Sequence, residues 1–210
     1  MDELEGIVDR IREYLEDKNA ARDRALKNSR ALIRQCSLAI RAVHRDERSR
    51  AEEHLKEARV HVQGLHQDLA PYPDLYHAGY TQDGLKEFSE ASIVTALVAG
   101  EAVPSPEDLE VEYAAYLGGL GEAVGELRRR TLDLIRQGRV EEAEPLLAAM
   151  NDIYDMLVTV DYPDALTGGL RRITDMVRGV TERTRGDLTA SIQQRELMKA
   201  LQAVEGKLVE

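Results

Sequence analysis

A chain of 210 residues with 43% hydrophobic and 32% charged content is long enough to bury a core as one large domain or two small ones. It holds no apolar run of about 18 residues, which excludes a transmembrane helix. Its formal charge of −11 excludes indiscriminate nucleic-acid binding over the whole surface. The charge is uneven, however: residues 18–50 carry ten Lys/Arg against three Asp/Glu, a net +7, so the rest of the chain carries −18.

Apolar residues recur with the 3.6-residue period of helices nearly throughout, and alternating β-branched runs are absent, so the expected fold class is all-α. The opening "MDELEGIVDRIREY" is acidic and amphipathic, unlike a secretory signal, and predicts a helix over about residues 2–16. That helix either stands alone or merges into a long one over about residues 19–45. The single cysteine, Cys36, falls in the apolar register of the long helix. It predicts a small core residue, no internal disulfide and a reducing, cytoplasmic setting. A helix over about residues 47–69 is stopped by "PYPD", and another follows over about residues 82–99. In "GEAVPSPEDLE", Ser105 suits an N-cap and Pro106 the first helical position, starting a helix expected to run to about residue 137 and stop at Gly138. Helices over about residues 140–160 and, after "DYPDALTGG", 169–204 complete a bundle of about seven, with no internal repeat.

Three constellations carry chemistry. On a helical wheel Lys27, Arg30, Arg34, Arg41 and Arg45 fall within an arc of about 60°, opposite Leu32, Ile33, Cys36, Ala39, Ile40 and Val43. The ridge is about 27 Å long, with steps of about 4.5 to 10.5 Å that match phosphates along a single strand. It is either a polyanion site or a solvated face paired with acids of neighbouring helices.

In "LKEFSEASIVTALVAG", Glu87 and Glu90 stand three residues apart on a helix that turns apolar nearly all round from Ala91. Glu87 projects with Val94 and Val98 toward protein, where a carboxylate needs a partner or a cation. The alternative is that both acids favour the positive N-terminal end of their helix. In "YLGGLGEAVGELRRR", four glycines sit in a helical stretch, at about 1 kcal/mol each relative to alanine. Glu122 and Glu126, four apart, point away from Leu120, Val124 and Leu127 and taken alone look solvated. Gly118, Gly121 and Gly125 are expected to clear one side of the helix beside them. Two helices each offering a pair of glutamates can build a divalent-metal site. Without a nearby histidine the donor set is all oxygen and suits Mg²⁺ or Mn²⁺. The five histidines lack metal-ligand spacing, and Arg171, Asp175, Arg178, Glu182 and Arg185 read as a salt-bridged ladder or subunit contact.

The C-terminal half, from "YLGGLGEAVGELRRR" through "ALTGGLRRITDMVRGVTERTRGDLT", resembles the translin family, in particular its archaeal single-subunit members and translin-associated factor X. "KEFSEA" and the "SR…HR" pattern of Ser29, Arg30, His44 and Arg45 resemble it too. The resemblance implies one seven-helix domain over residues 1–210, assembled into a closed hexameric to octameric shell that binds single-stranded RNA or single-stranded DNA. The factor X type is a metal-dependent endoribonuclease, and its acids map onto Glu87, Glu90, Glu122 and Glu126, with glutamate at 122 where the family usually has aspartate.

These four are the expected catalytic and metal-ligating residues. Lys27, Arg30, Arg34, Arg41 and Arg45 are the expected RNA contacts, with Arg171, Arg172 and Arg178 added. The expected function is a Mg²⁺/Mn²⁺-dependent endoribonuclease working on single-stranded RNA as a cytoplasmic homo-oligomer. The alternatives are a non-catalytic single-strand binder and an assembly scaffold whose acids and bases pair with each other.

Overall fold

The computed structural model describes the backbone of residues 2–209 and the side chains of residues 3–205. It is 86% helical, with no strand among the described residues, and none of its helices is long and apolar enough to cross a membrane. Helices α1 (Asp2–His44), α2 (Arg48–Leu69), α3 (Pro73–Tyr76), α4 (Gly79–Ala99), α5 (Pro106–Leu109), α6 (Tyr113–Arg136), α7 (Glu144–Val158), α8 (Asp164–Thr167) and α9 (Leu170–Val209) follow in order. A 3₁₀ turn, Val140–Glu142, precedes α7. Six helices are long; α3, α5 and α8 are single turns.

The two opening helices are continuous, because nothing between Glu16 and Asn19 breaks the backbone ladder. The helix expected from Ser105 divides in two. Ser105 and Asp108 cap each other's backbone in a capping box, but Glu110 adopts φ 57°, and the Val111 N–H donates to the Pro106 carbonyl. That reversal ends α5 after one turn, and α6 restarts at Tyr113. α1 ends in a similar reversal, with Asp46 at φ 59° and the Glu47 N–H bonded to the Ala42 carbonyl.

The long helices pack in sequence: α2 on α1, α1 on α4, α4 on α6, and α6 on α7 and α9. One apolar cluster joins α1, α2 and α4 through Leu32, Cys36, Leu65, Leu85 and Phe88. A second joins α6, α7 and α9 through Leu127, Met150, Leu157, Val177 and Leu188. Ala42, Val43, Ile93, Val94 and Ala123 seal the seam between them. α4 is therefore buried on almost every side of its second half, as its continuous apolar composition requires. Any polar group at the α4–α6 contact is held between two packed helices. That contact carries the candidate site.

A candidate metal centre beside a basic ridge

α4 and α6 meet backbone to backbone. A Cβ on Gly119 would stand 2.6 Å from the Lys86 carbonyl oxygen and 2.8 Å from the Glu90 nitrogen, so only glycine fits there. Gly118 lies against the aliphatic stem of Lys86, and Gly121 faces Ile173 of α9 on another side. Gly125 faces open space. The clearance beside α4 thus comes from Gly118 and Gly119, rather than from Gly118, Gly121 and Gly125 as expected. It brings a pair of acids from each helix into one neighbourhood.

Glu87 and Glu90 of α4 and Glu122 of α6 each present a carboxylate oxygen within 4.8 Å of the others. Glu90 is buried, and Glu87 and Glu122 are half-buried. Lys86 enters the same cluster, its Nζ donating to Glu122 Oε1 at 2.7 Å. Three carboxylates face one ammonium, so negative charge remains. Burial, then the charges of Glu87, Glu122 and Glu126, push the Glu90 carboxyl up to about 8, with Lys86 offsetting part of this. Glu87 is also raised, first by burial and then by Glu122, Asp83 and Glu126, against the opposing effect of Lys86.

The donor set is all oxygen, partly shielded from water and short of positive charge. It fits a hard divalent cation, since oxygens at about 2.1 Å from Mg²⁺ lie up to roughly 4.2 Å apart across an octahedron. A small contraction of the cluster meets that spacing.

Glu126 is close enough for its charge to act on Glu87 and Glu90, but it stands outside the cluster of three. Its Oε2 lies 2.5 Å from Nε2 of His44, the last residue of α1, and 3.7 Å from an Arg129 nitrogen. The His44 hydrogen bond, aided by the charges of His44 and Arg129 and opposed by burial, holds its carboxyl below the ordinary range.

All five ridge residues, Lys27, Arg30, Arg34, Arg41 and Arg45, are exposed, and none forms an ion pair with an acid among the described residues. Their neighbours differ: Lys18 pairs with Asp74, Arg24 with Asp68, and Arg48 with Glu52 and Glu101. The internally paired face offered as an alternative is thus not what these residues form within the chain.

The ridge also has a direction. Asn28 and Gln35 of α1 reach His61 and His54 of α2, whereas Ser29 reaches the Tyr80 carbonyl of α4 and His44 reaches α6. At 100° per residue the ridge begins about 40° beyond His44, on the flank turned away from α2. On α9, Arg171 pairs with Asp161, while Arg172 and Arg178 are exposed with no ion pair among the described residues. Of the expected ladder, only Glu182 and Arg185 bond to each other.

Two residues of the site escaped the sequence reading. Lys86 carries a legible signal, four residues before Glu90 on the same face. His44 carries none beyond its place in the "HR" pair, because its partner lies 82 residues away. Ser29 of the "SR" pair is buried and donates to the Tyr80 carbonyl at 2.5 Å, beside Gly84, so that half of the motif fastens α1 to α4.

No family model matches the chain. An uncharacterized protein of Methanocaldococcus jannaschii is 31% identical over 207 residues, covering 98% of this chain and 90% of that protein. AfC3PO, a translin-type structure from Archaeoglobus solved as a complex with duplex RNA, is 34% identical over 90% of this chain and 97% of its own, with a TM-score of 0.84. A crystal structure of AfC3PO matches with a TM-score of 0.82, again at 34% identity, over 90% and 98% of the two chains. The chain belongs to the translin family. Apo-NeC3PO, from Nematostella, has the same translin fold at 21% identity, with a TM-score of 0.80 over 88% of this chain and 96% of its own. Against the usual translin-family aspartate, the longer Glu122 side chain is the one that meets Lys86.

Proposed function

We propose that this translin-family protein is a divalent-metal-dependent endoribonuclease that cuts single-stranded RNA within a homo-oligomeric shell of six to eight subunits. The observation that carries the reading is the meeting of Glu87, Glu90 and Glu122 from two helices in one shielded, oxygen-only cluster. Those three are the proposed ligands for Mg²⁺ or Mn²⁺, with Glu126 the fourth carboxylate at the rim. A bound cation supplies Lewis acidity toward the scissile phosphate and a water of lowered pKa. The chain supplies the rest. Lys27, Arg30, Arg34, Arg41 and Arg45 hold successive phosphates without reading bases and lead the strand toward the end of α1. Lys86 donates charge beside the cluster, and Glu126, ionised and held by His44, is the proposed proton acceptor. Arg172 and Arg178 are weaker phosphate contacts, and Arg171 weaker again because Asp161 already engages it.

Support for assembly comes from two exposed apolar ridges near the helix ends. Leu4, Val8, Ile11 and Leu15 line one side of α1, and Leu197, Leu201 and Val204 one side of α9, all exposed. Such patches are what subunit contacts cover. A second reading, that paired RNA is the bound form, is favoured by the duplex in the AfC3PO complex.

One assay separates the readings: incubation of single-stranded and duplex RNA with Mg²⁺ or Mn²⁺. The proposal expects internal cleavage of the single strand, abolished by EDTA. Binding of either RNA without cleavage overturns it and leaves a passive binder, of RNA or of single-stranded DNA. For the ridge, the logarithm of single-strand affinity is expected to fall with the logarithm of salt at a slope of about −3.5, for five neutralised phosphates. Arg34→Ala is expected to weaken binding uniformly across sequences and make the slope shallower by about 0.7. Affinity indifferent to Arg34→Ala supports the scaffold alternative.

A further inference from the structure

We infer that His44 is the positioning residue for Glu126, fixing the fourth carboxylate at the rim of the cluster; this rests on the nuclease reading above. His44 closes α1, at the end of the basic ridge nearest α6. Its side chain is only 5% exposed, yet packing does not account for an imidazole there. Nδ1 is buried with no hydrogen-bond partner among the described residues, so Glu126 is the ring's one polar contact. A buried polar ring with a single satisfied nitrogen is disfavoured against an apolar side chain of similar size, unless the contact it makes serves a purpose.

The purpose follows from where Glu126 would otherwise go. It stands one turn beyond Glu122 on a surface of α6 that also carries Arg129, its i+3 neighbour. Without His44 the carboxylate is free to follow the exposed Arg129 guanidinium into water. With His44 it is pinned beside Glu87 and Glu90, where its charge acts on both. Residues that orient the groups around a metal site commonly change metal affinity or activity by 10- to 100-fold when lost. His44 also ties this carboxylate of α6 to the helix that bears the ridge.

The test compares His44→Leu with His44→Gln, whose amide N–H can donate from nearly the same place. Each is measured for RNA cleavage, for RNA affinity, and for Mn²⁺ affinity by water-proton relaxation, alone and combined with Glu126→Gln. The expected result is a 10- to 100-fold loss of kcat in His44→Leu with KM within about twofold, a roughly tenfold weaker Mn²⁺ affinity, and recovery of most of both in His44→Gln. His44→Leu should add nothing once Glu126 is glutamine. Equal losses in the Leu and Gln variants, or losses that add to those of Glu126→Gln, overturn the assignment. If His44→Leu does not fold, His44→Asn, whose shorter amide does not reach Glu126, takes its place in the cycle with Glu126→Gln under the same criterion of additivity. If the wild-type protein does not cut RNA, the nuclease reading fails, and the Mn²⁺ arm of the cycle decides the role of His44 by itself.

Discussion

Glu90→Gln is expected to lower metal-supported RNA cleavage by about a thousandfold while making the metal-free protein more stable. The first effect follows from its place. Glu90 is the most buried of the three converging acids, and losing one anionic ligand from a three-carboxylate site removes roughly 4 kcal/mol of transition-state stabilisation, at 1.36 kcal/mol per tenfold. The second follows from what the site costs without a cation. In the folded, metal-free protein this carboxyl titrates at about 8 against an ordinary 4.5. The folded state therefore keeps the proton that the unfolded chain releases, and folding stability falls as pH rises from about 4.5 to about 8. The loss is on the order of a few kcal/mol and is complete above that window. Glutamine has no proton to lose. Chemical denaturation in EDTA at pH 5 and pH 8 should show a decline for the wild-type protein and a much flatter response for Glu90→Gln. Adding Mn²⁺ at pH 8 should restore the wild type and leave the variant unchanged. Parallel declines in both proteins would mean that Glu90 is not where the strain of the site resides.

Gly119→Ala is expected to cost about 3 kcal/mol, the upper end of ordinary overpacking, because the added methyl meets backbone atoms of α4 that cannot rotate away. For a chain of this size that is a fall in Tm of roughly 6–12 °C. Separating α4 from α6 also spreads the ligands, so Mn²⁺ affinity should drop with it. Gly125→Ala, on the same helix with nothing within 4 Å, is the matched control. It should be neutral or stabilising by up to about 1 kcal/mol. Equal stability changes in the two variants would show that the α4–α6 approach does not set the cost.

The helices were legible because their cause is local. Apolar spacing along α1, α4 and α9 is a property of each segment, and so was the N-cap at Ser105. Most of the breaks were legible where glycine or proline marks them, and the α1–α2 break near residue 46 was placed without either. At Glu110 a glutamate takes the left-handed conformation that glycine usually provides, and nothing in "PEDLEVE" announces it. The acidic pairs were visible for the same local reason, since spacings of three and four put each pair on one helix face. Their meeting was expected through the family resemblance and not from the spacing of the residues, because it depends on Gly119 fitting the Lys86–Glu90 backbone across two helices. The division of the four acids into a cluster of three and a fourth held by His44 is a tertiary fact of the same kind. Neither residue's neighbours in the chain carry a trace of it.

A divalent cation between α4 and α6 is the centre of the proposed chemistry. The most direct measurement is a crystal structure with Mn²⁺, read by anomalous scattering at the manganese edge. A single strong peak among Glu87, Glu90 and Glu122, with oxygen distances near about 2.1 Å, is the predicted result. A map with no peak there, and with Lys86 still bonded to Glu122 at saturating Mn²⁺, would contradict it.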